Sequence, residues 1–359
     1  MIKQTSWTLY TSNEDAWMAM LSDCAKAEKS IELEQFIFAA DDFGNKLINV
    51  CAERASKGVK VRFLWDAGGS FTFWGSNIVE DLKKKGIELV FWKTLIPPYY
   101  KVPNFRSWFL RNHHRTLAID GKVAYTGSIC MRERMINWRD TNVRFEGPVV
   151  SEMENVFDRM WARSLKIKPL PKRRFAFDPD FRYITNYPAP GQRHINNELM
   201  KSIKSAEKYI DITTPYFIPT HRILHAIKLA AKRKIRVRII LPEKTDDYVV
   251  DLGMRSYFKG LLESGVKIYL YKKNIIHSKS VVIDGNWSTV GTLNLDNVSL
   301  LYNFEANIIS NNKDFAEELE AHFIHDLKKS EEVNLIEWQK RFFLEKLAEF
   351  SVRLIRKFL

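Results

Sequence analysis

At 359 residues with 45% apolar side chains, the chain can build two domains of ordinary size and is not globally disordered. Its 56 Lys and Arg against 43 Asp and Glu leave a formal charge of +13, which favours polyanionic partners: nucleic acid, an anionic membrane face or phosphate-bearing substrates. Cys24, Cys51 and Cys130 are scattered and odd in number with no C-x-x-C, which points to a reduced compartment and away from structural zinc.

In chain order, the N-terminal residues lack the apolar core of a secretory signal. No apolar run approaches the ~20 residues that a spanning helix needs. A soluble or membrane-peripheral protein is therefore expected, on the cytoplasmic side. An amphipathic helix ends at Ala27-Glu28-Lys29 and enters a strand over 31–38; helix 46–57 and strand 59–64 follow, then helix 77–85 and strand 86–91. The same order returns later: Ala206-Glu207-Lys208 enters strand 210–214, then come helix 222–234, strand 235–240, helix 253–263 and strand 265–270. Val- and Ile-rich strands alternating with helices of about ten residues indicate βαβ units and mostly parallel sheets.

Residues 148–163 predict a helix near the end of a first half, 1–165. A Pro- and cation-rich connector, 166–195, leads to a second half, 196–330. The first half carries about fifteen extra residues within 93–110, rich in aromatics and cations, read as a packed loop or a lipid-contacting lip. In the tail, 331–359, apolar Phe343, Leu347, Phe350, Leu354 and Phe358 recur in steps of four and three among Lys and Arg, predicting a basic amphipathic, membrane-associating helix. Packing of that face on the second half is the alternative.

Each half also carries one chemical motif. The second reads His277-x-Lys279, four residues, Asp284, six residues, Gly291-Thr292, then Asn294. The first reads His113-x-Arg115, Asp120 and Gly127-Ser128 at the same spacings. Such a pattern arises by chance about once per million positions at ordinary residue usage, so two copies are not coincidence. After each Asp, residues 123–126 and 288–290 predict a hairpin strand, which gives Asp120-Gly121 and Asp284-Gly285 a structural role as turns.

These residue types suit phosphodiester chemistry. Anionic phosphate oxygens repel a nucleophile, and Arg115, Lys279, Ser128, Thr292 and Asn294 have the charges and donors that relieve the repulsion. A neutral imidazole can attack phosphorus while a protonated one donates to the leaving oxygen, so His113 and His277 are a natural minimum. Each imidazole needs a partner for its second nitrogen; Asp140, 27 positions after His113, and Glu305, 28 after His277, are the candidates. No metal ligand set and no cofactor is expected.

The paired motifs, with Trp138-Arg139-Asp140-Thr141, Glu146-Gly147-Pro148, Thr213 to Pro219 and Gly291 to Asp296, resemble the phospholipase D superfamily, and within it the bacterial cardiolipin synthases. The resemblance runs from about Thr8 to Phe358 and matches a short form without N-terminal membrane helices. It implies two similar α/β halves sharing one active site at their interface. It also implies transfer of a phosphatidyl group through phosphohistidine, from phosphatidylglycerol or a similar donor to a second phosphatidylglycerol. Phospholipids and an anionic membrane surface are the implied partners; no obligatory protein partner is. Arg115 where the pattern has Lys, and Cys130 where it has Asn, depart from the family. A lipid hydrolase or a nuclease of the same fold, and a non-catalytic lipid binder, are the alternatives; the tail and aromatic loop argue against nucleic acid, and retention of both motifs argues against a relic.

Overall fold

A computed structural model describes residues 4–73, 76–93, 110–168, 177–189 and 191–355. Most of the aromatic loop at 93–110 and part of the connector lie outside these residues.

The first half is a sheet ordered β1-β7-β6-β5-β2-β3-β4, formed by β1 (Ser6–Ser12), β2 (Ser30–Gln35), β3 (Lys60–Asp66), β4 (Ile87–Trp92), β5 (Thr116–Ile119), β6 (Val123–Gly127) and β7 (Arg139–Glu146). The second is ordered β17-β12-β11-β9-β13-β14-β16-β8. Its strands are β8 (Phe181–Asn186), β9 (Tyr209–Thr213), β11 (Arg236–Pro242), β12 (Lys267–Tyr271), β13 (Ser280–Ile283), β14 (Trp287–Gly291), β16 (Glu305–Ser310) and β17 (Ser330–Glu332). A short parallel pair, β10 (Phe217–Ile218) and β15 (Leu295–Asp296), stands apart.

Both sheets are mixed and flanked by helices, but they are not mostly parallel. Parallel pairing is confined to β2, β3 and β4 and to β9, β11 and β12, where helices make the crossovers. The motif strands β5-β6 and β13-β14 are joined by three-residue links, 120–122 and 284–286, each beginning Asp-Gly, and so short a link permits only antiparallel neighbours. At each turn the Asp adopts positive φ, 57° at Asp120 and 54° at Asp284. Its carboxylate accepts three successive backbone N–H groups, from Glu28, Lys29 and Ser30 or from Glu207, Lys208 and Tyr209. The motif aspartates thus clamp the entry of each half's first crossover strand. Partial burial opposes their charge, yet the three donors outweigh it and hold both carboxyls below the ordinary range.

Helices α1 (Asn13–Ala25), α2 (Asp42–Ser56) and α3 (Ile78–Lys84) cover the first sheet, with α4 (Val149–Leu165) closing the half. Helices α5 (His194–Ser205), α6 (His221–Lys232), α7 (Tyr248–Leu262), α8 (Asn297–Leu301) and α9 (Lys313–Leu327) follow. Side-chain oxygens of Ser12, Asp41, Thr220, Asp247 and Asn312 cap α1, α2, α6, α7 and α9, satisfying amide donors that a helix start leaves open. Each half has its own core. A third cluster joins them: Ala118, Ala124, Val143 and Phe145 of the first sheet meet Val282, Val290, Ala306 and Ile308 of the second, sealed by α4 and α9. That shared core turns the motif hairpins toward one another.

The tail is two helices, α10 (Leu335–Lys340) and α11 (Phe343–Ile355), with a break at Arg341-Phe342 instead of one continuous helix. It lies against α7 and buries Glu349 and Val352, while Phe342, Phe343 and Leu347 stay exposed. Phe350, Leu354 and Phe358 fall outside the described side chains.

Replacing Asp284 with Ala removes three charge-assisted backbone contacts and is expected to lower stability by about 2 kcal/mol. Its depressed pKa makes this contribution present above the ordinary carboxyl pKa and lost as pH falls below it. Urea denaturation at neutral pH reads the loss; an unchanged midpoint rejects the clamp.

Candidate active site

The site is built by two backbone bridges that cross between the halves. Asn112 pairs with Phe304: Phe304 N–H donates to the Arg111 carbonyl, and His113 N–H to the Phe304 carbonyl, each at 2.9 Å. Arg139 pairs with Ile276 in the same way, with its N–H on the Ile275 carbonyl at 2.9 Å and its carbonyl accepting from His277 N–H at 2.8 Å. Buried ion pairs pin both crossing segments. Asp66 grips Arg111 at 2.7 Å and accepts from Asn112 N–H at 2.9 Å, while Arg139 is held by Asp326 at 2.7 Å.

Phe304 precedes Glu305 and Arg139 precedes Asp140, so each bridge carries a carboxylate to the opposite histidine. Glu305 lies 2.8 Å from His113 Nδ1, and Asp140 lies 3.2 Å from His277 Nδ1. The near-equal offsets in the sequence pair Asp140 with His113 and Glu305 with His277; the structure exchanges the partners. Chain spacing reports where a carboxylate sits in its own half, and the strand pairing between halves decides which imidazole it reaches.

Each Nε2 faces the cation of its own motif. Lys279 Nζ is 2.9 Å from His277 Nε2 and 2.7 Å from the His277 carbonyl. Arg115 Nη2 is 3.0 Å from His113 Nε2 and 3.5 Å from Cys130 Sγ. Arg115 Nε and Nη1 are buried with no partner among the described residues. The guanidinium fork therefore has donors to spare beside the imidazole, as an anionic oxygen would require. Cys130 occupies the position of Asn294 in the second half. Asn294 is buried, and its Oδ1 is likewise unpartnered among the described residues.

The sequence reading gives the hydroxyls of Ser128 and Thr292 to the substrate. In the structure both are fully buried and donate to the orienting carboxylates, Ser128 to Asp140 and Thr292 to Glu305 at 2.6 Å. Each hydroxyl is thus engaged in positioning a carboxylate. Two residues that the sequence reading passed over complete this layer. Asn142 Oδ1 accepts from Ser128 and Ile129 N–H, and Asn307 Oδ1 from Thr292 and Leu293 N–H. The signal for them is a carboxylate-x-Asn spacing common to Asp140-Thr141-Asn142 and Glu305-Ala306-Asn307. Gly127 and Gly291 let these strands approach, since a Cβ at either would lie 2.4 Å from a carbonyl oxygen. His114, beside His113, turns away to Glu34 at 3.2 Å and belongs to the scaffold.

Electrostatics differ between the half-sites. Burial and then Arg115 and Lys279 hold the His113 imidazole well below its ordinary pKa. Burial and Lys279 lower His277 to about 4, with Asp140 opposing them. Burial and Arg115 bring Lys279 down to about 7. Burial alone would raise Asp140, but His277, Lys279 and the Ser128 hydroxyl outweigh it and keep this carboxyl below the usual range. Burial instead pushes Glu305 up to about 7. An ionised carboxylate thus backs His277, whereas the one behind His113 titrates near neutrality. Both Nε2 atoms accept from cations and both Nδ1 atoms face carboxylates, which sets the same neutral tautomer on each ring.

The chain resembles known proteins along most of its length. A family model described as cardiolipin synthase, PLD-like domain, matches residues 20–161 and 199–327. A cardiolipin synthase from Clostridium perfringens is 32% identical over 365 residues, covering 97% of this chain and 75% of its own. Cardiolipin synthase A from Pectobacterium atrosepticum is 31% identical over 368 residues, covering 97% and 74%. Among solved structures, phosphatidylserine synthase from Haemophilus influenzae matches 98% of this chain and 95% of its own with a TM-score of 0.74 at 14% identity, a likeness of fold. Among the described residues, no helix is long and apolar enough to cross a membrane.

Replacing Asp140 with Asn or Glu305 with Gln keeps shape but removes the charge facing an imidazole. Each is expected to lower turnover roughly 100- to 10,000-fold, by analogy with orienting carboxylates of other histidine catalysts. Steady-state kinetics beside thermal melting decide: wild-type turnover in either folded variant rejects the orienting role.

Proposed function

The chain belongs to the family of cardiolipin synthase, phospholipase D-like proteins, and on that premise we propose that it is a phosphatidyltransferase that makes cardiolipin and glycerol from two molecules of phosphatidylglycerol. The observation that supports this best is the pair of imidazoles, each with Nε2 beside a cation and Nδ1 on a carboxylate from the opposite half. Two such groups allow a double displacement with inverted proton roles at one phosphorus.

The donor phosphate sits between Arg115 and Lys279, whose charges offset its oxygens and the extra charge of the transition state. Its anion raises the pKa values that burial and the neighbouring cations lower on His277 and Lys279. His277, backed by ionised Asp140, takes the proton more readily and is the general acid. His113 is the nucleophile. Its Nε2 lone pair forms the N–P bond as the P–O bond to glycerol breaks, and His277 passes its proton to the departing glycerol oxygen. Glu305 then offsets the charge that develops on the phosphorylated ring. In the second step a hydroxyl of another phosphatidylglycerol gives its proton to His277 and attacks phosphorus, breaking the N–P bond. The tail helices hold the protein at an anionic membrane surface, on the cytoplasmic face.

Purified protein mixed with phosphatidylglycerol vesicles is expected to release glycerol and form cardiolipin without added metal. Mass spectrometry that finds phosphatidic acid alone replaces the transferase with a hydrolase. Ala at position 113 or 277 is expected to abolish turnover of phosphatidylglycerol. With a phosphatidyl ester of nitrophenol, whose leaving group needs no proton, His277→Ala is expected to recover a burst of nitrophenol and His113→Ala none. The reverse outcome exchanges the two roles.

A further inference from the structure

Away from the histidines, the tail and α7 enclose a cavity of about 440 Å³ that shares no lining residue with the reaction site. Arg255 and Lys259 reach it from α7, and Arg341 and Lys346 from the tail, against a single lining carboxylate, Glu349. Arg341 is fixed there: its guanidinium stands 3.2 Å over the Trp338 ring, and both terminal nitrogens bond Glu349. Glu349 offsets that one charge and Glu263 lies 3.8 Å from Lys259, so Arg255 and Lys346 are the lining cations without an ion pair among the described residues. Trp338 in turn packs on Phe258 of α7, with ring centroids 4.8 Å apart, so the cavity wall is anchored to the core of the second half.

The rim is apolar. Phe342 and Phe343 follow Arg341 directly and are 82% and 73% exposed; Leu347, one turn on from Phe343 and on its face, is 47% exposed. Phenylalanines left in water beside a cation-lined cavity are what an anionic bilayer interface accommodates, with rings in the acyl boundary and phosphate against the cations. A site for a soluble phosphate ester gains nothing from such a rim.

We infer that this cavity is a second lipid site, which takes the phosphate headgroup of an anionic phospholipid while Phe342, Phe343 and Leu347 enter the bilayer beside it. The inference rests on the lipid substrate class proposed above. It adds a contact that holds the enzyme on the membrane that supplies its substrates.

Sedimentation of the full chain with phosphatidylcholine vesicles, with and without phosphatidylglycerol, tests this without requiring turnover. The exposed pair Lys259→Gln/Lys346→Gln is expected to lower partitioning onto the anionic vesicles at least tenfold, at about fivefold for each cation removed. Partitioning onto phosphatidylcholine alone is expected to stay the same. Phe342→Ser/Phe343→Ser is expected to lower partitioning onto the anionic vesicles as well. Both variants keep wild-type turnover in detergent micelles, which shows that the fold and reaction site are intact. Wild-type partitioning of the Lys pair onto anionic vesicles overturns the site. So does displacement from the vesicles by millimolar glycerol phosphate, which makes the cavity a sink for soluble phosphate esters. Loss of turnover with binding intact contradicts the proposed reaction and leaves this site standing.

Discussion

Two short strand bridges between the halves, Asn112 with Phe304 and Arg139 with Ile276, are the constraint on which the rest of the structure depends. Each delivers a histidine from one half and, one residue beyond, a carboxylate from the other. Neither half holds a histidine together with the carboxylate that faces it. The apolar cluster shared by the motif hairpins presses the halves together, while Asp66–Arg111 and Asp326–Arg139 keep the crossing segments from sliding. A register slip at either bridge would strand a buried imidazole from its carboxylate, so packing and chemistry select the same arrangement.

Burying so many charges is costly unless each is paired. Every catalytic candidate here is buried, and the pairing is nearly symmetric: hydroxyl to carboxylate, carboxylate to Nδ1, Nε2 to cation. The symmetry breaks where the chemistry has to. Asp140 stays ionised while Glu305 titrates near neutrality, and Arg115 with Cys130 stands where the other half has Lys279 with Asn294. Burial and Arg115 have brought Lys279 down to about 7. Two similar half-sites thus offer two imidazoles of different proton affinity.

The duplicated fold was legible because both of its signals are local. Apolar periodicity repeated in the same order, and the motif spacing repeated residue for residue. The turn role of Asp120 and Asp284 was legible for the same reason, though the three amide donors each gathers come from a segment about eighty or ninety residues earlier. What no spacing encodes is contact between halves. The exchange of Asp140 and Glu305 follows from interdomain strand pairing. The hydroxyls of Ser128 and Thr292 look like phosphate ligands until their carboxylate acceptors are in view. The antiparallel share of the sheets was understated because β1 and β8 are edge strands outside any crossover pattern. In the tail the packing alternative is what the structure shows, with one face of α11 on α7, while Phe343 and Leu347 are left exposed.

The central claim is that each histidine is oriented by the carboxylate of the opposite half. Nitrogen-15 spectroscopy of the histidine rings in the Glu305→Gln variant tests it most directly. The crossed arrangement predicts that the Nδ1 resonance of His113 moves while that of His277 keeps its wild-type position. Movement of His277 with His113 unchanged would mean that each half orients its own histidine, and would contradict the account.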